Sequence, residues 1–438
     1  MNMNKRIFEK LKSILENRWF SRLVGNLTPI LPISKIRRNI LLNKIEISKG
    51  KEYLSSYPYK GVLNLTDACN LRCRFCEIHY VFQKYPIQYK NFINLRILKG
   101  YYPLLSRMKS LAFYGATGEP LLNPNSSDII RFLKNKNPEI FLSVNTNGLL
   151  LTDRNIRAMV EVGFDGVLIS IHSASKKAYQ YLVGGNYDNL IKNIGKLAKE
   201  KNEQAKEKPR VGLTFALSKL NAKDAIKYPE LGKKLKVDYI NINHYYDVRN
   251  QLSEEISFYF SPKEGNEILQ KVYNKAKEIG IKIVPSLPPF LPEDYDRNTN
   301  LLAEYNKQII KKNWCFDPFT TLKFKGCAEH PNSQYVTVCN RILLLRINYE
   351  KYDFKDLHKD IWNHPTMLYI RSTVNESPYN PICSFCRNRM TSAIRCLSNP
   401  LYRELRDKAV EEFFKSVKAN YQIPKINGIE TLENNPYE

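Results

Sequence analysis

Strand-like and helix-like segments alternate along the first two thirds of this chain. Six apolar runs, each short enough for a buried strand, are separated by amphipathic helical patterns such as those at 153–163 and 186–201. This alternation predicts an α/β fold, either a partial (β/α)6 barrel of the TIM type or a doubly wound sheet. In both, the active site lies at the carboxyl ends of the strands. The predicted strands are GVLNLT (61–66), SLAFYGA (110–116), IFLSVNTNG (140–148), GVLISIHS (166–173), RVGLTFAL (210–217) and DYININ (238–243), followed by a helix at 262–279 and a strand at 281–287.

The composition shifts along the chain and divides it into predicted segments. A basic extension covers residues 1–57, and the barrel covers 58–290. A proline-rich and then polar stretch favours a linker at 291–310. Beyond it the strand–helix alternation stops and six of the nine cysteines appear, which predicts a small cysteine-rich domain at 311–398. Residues 399–438 form a C-terminal helix and tail.

The net charge of +25 could indicate nucleic-acid binding. The lysines are scattered among Asn, Ile and Tyr, however, and the sequence has no zinc-finger, RRM or KH signature, so we expect no nucleic-acid partner. The extension has two interpretations. It could lie on an anionic bilayer as a peripheral membrane contact, or it could pack against the outside of the next domain.

The sequence has no apolar run of about 18 residues and no signal-peptide pattern at its start. We therefore expect a cytoplasmic protein. In that compartment the nine cysteines are better suited to be reduced ligands or nucleophiles than disulfide partners.

Three cysteines, Cys69, Cys73 and Cys76, form a C-x3-C-x2-C motif directly after the first predicted strand. Three thiolates on a tight loop can hold three corners of a cubane 4Fe-4S cluster and leave one iron open to another ligand. A zinc site that uses His79 as its fourth ligand is an alternative. A further alternative is that the three cysteines are merely structural.

This motif resembles that of the radical S-adenosylmethionine (radical SAM) superfamily, in which an aromatic residue, here Phe75, precedes the third cysteine. The resemblance implies that Cys69, Cys73 and Cys76 bind a 4Fe-4S cluster. It also implies that the amino and carboxylate groups of SAM chelate the open iron and that Phe75 lies on the adenine side.

The resemblance extends to later strand ends. Gly118 and Glu119 look like the family's GE motif, which implies contact with the methionine amino group of SAM. Asn145 or Thr146 is expected to face the SAM or substrate pocket, and Ser170 the ribose or carboxylate of SAM. His172, two residues after Ser170 and so on the same face of the strand, could be a catalytic acid or base, or a structural histidine.

The C-terminal cysteines resemble those of the SPASM/twitch domains that follow many radical SAM barrels. The resemblance implies an auxiliary 4Fe-4S cluster, with zinc as the alternative metal. Cys327 could replace Cys339 as a ligand, and Cys396 could join a three-cysteine set. The implied ligands are Cys315, Cys339, Cys383 and Cys386.

The function implied by the resemblance is reductive cleavage of SAM to a 5'-deoxyadenosyl radical that abstracts hydrogen from a substrate. A low-potential donor of the flavodoxin or ferredoxin type would supply the electron. The basic surface favours a small molecule such as a sugar or a nucleotide- or lipid-linked intermediate. A peptide- or protein-modifying maturase is the alternative, and a non-catalytic iron-sulfur or zinc protein is the alternative of another class.

Overall fold

The computed structural model describes residues 34–74, 76, 90–114, 118–245, 256–258, 261–284, 315–339, 342–376, 381–384 and 400–433. Within them, ten strands form one sheet in the order β10-β9-β8-β7-β1-β2-β3-β4-β5-β6. The strands are β1 (Lys60–Leu63), β2 (Ser110–Tyr114), β3 (Phe141–Thr146), β4 (Gly166–Ser170), β5 (Arg210–Leu217), β6 (Tyr239–His244), β7 (Thr321–Gly326), β8 (Ser333–Thr337), β9 (Leu345–Asn348) and β10 (Ile429–Thr431).

Strands β1 to β6 pair in sequence order, and every pair is parallel. Helices connect them, as parallel pairing requires. The α/β prediction with six strand–helix units is therefore confirmed. The connecting helices include α2 (Leu95–Leu105), α3 (Ser126–Lys136), α4 (Asp153–Glu161), α5 (Lys176–Val183), α6 (Tyr187–Glu203), α7 (Ala222–Ala225) and α8 (Tyr228–Lys234), preceded by α1 (Lys35–Ser48) and followed by α9 (Pro262–Ile279).

Local side-chain chemistry sets the helix ends. The Thr152 hydroxyl accepts a hydrogen bond from the Asn155 N–H at the start of α4, and the Asn186 side chain caps α6 in the same way. Helix α5 ends at Gly184, whose φ of 74° lies in the left-handed region that glycine adopts without strain.

The two faces of the parallel sheet differ in chemistry, because successive strand residues point to opposite sides. One face is apolar, fully buried and covered by the helices, as illustrated by Leu63, Phe113 and Val144. The opposite face is polar at several hydroxyl and amide positions, of which Ser143, Asn145 and Ser170 are half-buried, Thr214 and Asn241 are buried and Asn243 is exposed. This polar concave face is the one available to ligands.

The predicted strand at 281–287 is reduced to an isolated bridge between Ile240 and Ile283. Residues 285–287 lie outside the described part of the chain. The next strand in the sheet, β7, comes from the cysteine-rich region and pairs in parallel with β1, so that Val62 lies beside Lys323.

The cysteine-rich region continues the barrel's sheet, since β7 is followed by the antiparallel strands β8 and β9. Its buried side chains join the same hydrophobic core as those of the barrel. The division at 311–398 stays a prediction, with the added fact that the two parts share a sheet. This region also contains α10 (Asp317–Thr320), a π-helical turn (His358–Trp362), α11 (Pro365–Thr373) and α12 (Pro381–Ser384). The C-terminal segment 399–438 adds α13 (Pro400–Asn420) and β10, which pairs antiparallel with β9.

The described part of the N-terminal extension, residues 34–57, packs on the C-terminal region. The Asn43 amide donates to the Phe319 carbonyl at 2.7 Å, and the Trp362 indole N–H donates to the Ser56 carbonyl at 2.8 Å. These contacts are with the C-terminal region, whereas the second interpretation named the next domain, the barrel, which the Ser34 hydroxyl contacts by donating to Glu139 Oε2 at 2.6 Å. Both interpretations of the extension stay predictions. Residues 1–33 lie outside the described part. Among the described helices, none is long and apolar enough to cross a bilayer.

Candidate functional site

The cysteine motif lies on the loop that follows β1, at the carboxyl edge of the sheet. The Arg74 N–H donates to the Leu182 carbonyl at 2.8 Å, which ties the middle of this loop to α5. All three thiols are partly buried. Phe75 and His79 lie outside the described residues.

The cysteine thiols lie close enough to affect one another's ionisation. Burial raises the pKa of Cys69 to about 11 and that of Cys73 to about 12, and in each case repulsion from Cys76 and Glu119 adds to the shift. Without a metal these thiols are protonated at neutral pH. Binding of iron must therefore displace protons, because the thiolate is the ligand form.

Gly118 lets the loop after β2 pack directly on the cysteine loop. A Cβ at this position would lie 2.2 Å from the Thr66 carbonyl oxygen and 2.6 Å from that of Ala68. The next N–H, that of Glu119, donates to the Ala68 carbonyl at 2.8 Å. The close approach of two backbones therefore explains glycine here.

The Glu119 side chain is 3% exposed and already accepts three hydrogen bonds. Its Oε1 accepts from the Thr146 hydroxyl at 2.7 Å and the Leu121 N–H at 3.1 Å, and its Oε2 accepts from the Asn147 N–H at 2.7 Å. Burial raises the pKa of Glu119, and these hydrogen bonds oppose the shift. A carboxylate has about four lone-pair positions, so about one remains for an ammonium group.

The end of β3 separates the two residues between which the sequence did not decide. Asn145 lies on the concave face and is half-buried, whereas Thr146 points the other way and binds Glu119. The following residue, Asn147, donates from Nδ2 to the Asn70 Oδ1 at 2.8 Å. Asn147 thus joins the third strand to the cysteine loop, although its sequence signal was only that of an Asn-Gly turn.

Ser170 is the last residue of β4, and His172 lies two residues after it. Ser170 lies on the concave face beside Thr214 of β5. His172 has a φ of 55°, and its Nδ1 accepts a hydrogen bond from the Ala216 N–H at 3.0 Å. Burial lowers the pKa of His172 to about 4. The imidazole is therefore neutral at pH 7 with its proton on Nε2, which suits a hydrogen-bond donor better than an acid or a base.

Asp67, two residues before Cys69, is fully buried, and the sequence analysis missed it. Its carboxylate accepts from the Asn64 side chain at 2.8 Å, the Asn91 side chain at 3.0 Å and the Cys327 N–H at 3.3 Å. A signal was present in the sequence, because an acidic residue between a buried strand and a ligand loop needs specific partners.

The C-terminal cysteines lie at two different ends of the β7–β8 hairpin. Cys327 directly follows β7, whereas Cys339 follows β8 by one residue and so lies level with the start of β7. β7 has 6 residues, and at ~3.3 Å per residue the two cysteines are about 20 Å apart along the strand. Cys315 precedes α10, which leads into the start of β7, so its place in the chain matches that of Cys339.

The other predicted auxiliary ligands are only partly described. Cys383 is buried on α12, and Cys386 and Cys396 lie outside the described residues. Among the side chains that the structure describes, no three His, Cys, Asp or Glu residues converge on a single metal ion. A cubane cluster does not need such convergence, because each thiolate binds a different iron.

Comparison with known proteins finds similarity over the barrel. Residues 63–224 match the model of the radical SAM superfamily. The chain is 29% identical over 175 residues to the tungsten-containing aldehyde ferredoxin oxidoreductase cofactor-modifying protein of Pyrococcus furiosus, covering 40% of this chain and 47% of that protein. It is 25% identical over 254 residues to the GTP 3',8-cyclase of Aquifex aeolicus, covering 52% of this chain and 74% of that protein. The chain thus spans only about half the length of the Pyrococcus relative.

Two solved structures share the fold over most of the chain. Streptococcus suis SuiB bound to the precursor peptide SuiA superposes with a TM-score of 0.51 at 16% identity, covering 85% of this chain and 80% of SuiB. SuiB bound to S-adenosylmethionine gives a TM-score of 0.50 at 15% identity and covers 91% of both chains. At this identity the likeness shows the fold alone.

Proposed function

We propose that this protein is a radical SAM enzyme that uses a 4Fe-4S cluster and SAM to abstract hydrogen from its substrate, because residues 63–224 match the model of the radical SAM superfamily. One observation carries the proposal. The Gly118–Glu119 loop packs directly on the loop of Cys69, Cys73 and Cys76, so that thiolate ligands and a buried carboxylate share one site. Three soft thiolates on one loop suit an iron-sulfur cluster with one open iron.

When bound, the cluster supplies one electron to SAM, whose cleavage gives methionine and a 5'-deoxyadenosyl radical that takes a hydrogen atom from a substrate C–H bond. In this proposal the chain's own residues position the reactants. Glu119 fixes the loop beside the cysteines and offers its remaining acceptor position to an ammonium group. Ser170 and Asn145 offer polar contacts on the concave face, and His172 serves as a neutral donor. A flavodoxin or ferredoxin would supply the electron.

The proposed substrate class is supported by the names of relatives and by the net charge of the chain. GTP 3',8-cyclase, by its name, acts on a nucleotide, and the present chain carries a net charge of +25. Both favour a small anionic substrate such as a nucleotide- or lipid-linked intermediate. Modification of a peptide is the second candidate, and the fold shared with peptide-bound SuiB favours it.

The radical reaction is tested by anaerobic reconstitution with iron and sulfide, followed by incubation with SAM and dithionite. We expect 5'-deoxyadenosine from the native chain and none from Cys73→Ala. The matched control is Cys327→Ala, which removes a thiol outside the motif. A protein with a complete cluster that forms no 5'-deoxyadenosine would instead be a non-catalytic iron-sulfur protein.

The auxiliary cluster is proposed on Cys315, Cys339, Cys383 and Cys386. The hairpin geometry supports Cys339 over Cys327, because only Cys339 lies at the end of β7 that Cys315 approaches. We expect Cys339→Ser to lower the iron content from about eight to about four per chain, as the loss of one cubane requires, and Cys327→Ser to leave it unchanged. If Cys339→Ser keeps the same iron content as Cys327→Ser, about eight per chain, Cys339 is removed from the ligand set.

A further inference from the structure

The buried Asp67 carboxylate joins its own loop to two segments that are distant in sequence. Asn64 directly follows β1 in the loop of Asp67, Asn91 lies before α2, and Cys327 begins the turn between β7 and β8. Each donates a hydrogen bond to Asp67, at 2.8, 3.0 and 3.3 Å respectively. Asp67 is 0% exposed, so water cannot replace any of these donors.

The same junction holds the β7–β8 turn, residues 327–332, through a second layer of hydrogen bonds. The Asn91 Nδ2, which donates to Asp67, also lies 2.8 and 3.0 Å from the carbonyl oxygens of Cys327 and His330, so its two N–H groups are shared among three acceptors. The side-chain oxygen of Asn91, Oδ1, accepts a hydrogen bond from the Asn332 N–H at 2.8 Å. Both ends of the turn are therefore fixed by one side chain, and that side chain is held by Asp67.

We propose that Asp67 is a positioning residue through which occupation of the cysteine loop by a cluster is transmitted to the β7–β8 turn. The proposal rests on the proposed function only in assuming that Cys69, Cys73 and Cys76 bind iron. Asp67 is two residues from Cys69, so a loop ordered by iron must carry Asp67 with it. The turn must follow, because a buried carboxylate that leaves its donors exposes unpaired polar groups.

The hairpin beyond this turn carries Cys339, the proposed auxiliary ligand, at its far end. Asp67 therefore links the loop of the first cluster to the element that would hold the second. The hydrogen bonds of the junction span 24 residues between Asn91 and Asp67 and 260 residues between Cys327 and Asp67. Such a connection exists only in the folded chain.

Hydrogen–deuterium exchange of the full chain, with and without reconstituted iron, tests the proposal. In the native protein we expect amide exchange in residues 327–335 to slow about fivefold on iron loading. Asp67→Asn should lose this response, because an amide cannot accept from all three donors. Asp128→Asn, the same substitution in an exposed ion pair with Arg154, is the matched control and should respond like the native chain.

Iron content and the visible spectrum of each variant show whether the first cluster is present. If Asp67→Asn fails to fold, Asn91→Ser interrupts the same junction at its second layer and should also lose the response. The proposal is overturned if the turn of the native protein does not respond to iron, or if an iron-loaded Asp67→Asn or Asn91→Ser responds fully. Formation of 5'-deoxyadenosine is measured separately, so failure of the radical reaction leaves this result interpretable.

Discussion

Replacing Gly118 by alanine should damage the cluster site more than a glycine-to-alanine substitution at any other position in the barrel. The new methyl group would lie 2.2 Å from the Thr66 carbonyl oxygen and 2.6 Å from that of Ala68. Comfortable C···O contacts are about 3.3 Å or longer, so the two loops must separate by about 1 Å. Neither obstacle can rotate away, because both are backbone atoms.

The expected cost of Gly118→Ala is about 3 kcal/mol in the free energy of unfolding, the upper end of the range for overpacked sites. The separation would also stretch the 2.8 Å hydrogen bond from the Glu119 N–H to Ala68 and displace the first cysteine. We therefore expect less iron bound after reconstitution, measured by iron analysis and the visible spectrum, in addition to the lower stability in urea.

The matched control is Gly195→Ala. Gly195 lies within α6, and a Cβ there would meet nothing within 4 Å. Alanine should stabilise the helix by about 0.5–1 kcal/mol through the lower entropy of the unfolded chain. If Gly118→Ala has the stability and iron content of Gly195→Ala, the close packing of the two loops is refuted.

Three other substitutions test the buried polar groups. Glu119→Gln places an amide N–H against a backbone donor and should cost about 1–3 kcal/mol in urea unfolding, with weaker iron retention. Asp165→Asn leaves the buried Lys134, 2.7 Å away, without its charge partner and should cost about 3–5 kcal/mol in the same assay. Burial lowers the pKa of His364 to about 4. Between about pH 6.5 and 4, this imidazole therefore binds a proton more readily in the unfolded than in the folded chain. The free energy of unfolding falls as the pH falls through this window. In His364→Asn, the asparagine side chain should still cap the helix. This variant should lose about 2 kcal/mol less than the native protein between pH 7 and pH 5 in its free energy of unfolding.

Each of these expectations has a contrary result. Native stability in Glu119→Gln would mean that the three hydrogen bonds to its carboxylate are not formed. Asp128→Asn, in an exposed pair, should cost less than about 1 kcal/mol, and an equal loss in Asp165→Asn would contradict its burial. An unchanged pH profile in His364→Asn would assign the acid sensitivity to other groups, among them His172.

The sequence alone determined the alternation of strands and helices and the cysteine motif after the first strand. Both are local signals: apolar periodicity follows from the geometry of each element, and ligand spacing follows from a short loop. Gly118, Glu119 and Ser170, at the ends of predicted strands, were singled out by the resemblance to the radical SAM superfamily. Of the strand predicted for 281–287, the described residues 281–284 show only an isolated bridge at Ile283, because an apolar run does not specify its partner.

The tertiary structure decided what depends on distant contacts. Cys327 and Cys339 are similar candidates in the sequence, but the hairpin register places them at opposite ends of β7. Asp67 is an ordinary acidic residue until Asn91 and Cys327 meet it in the core. The physical reason is that buried polar groups take their partners from wherever the fold brings donors, and sequence spacing does not record that choice.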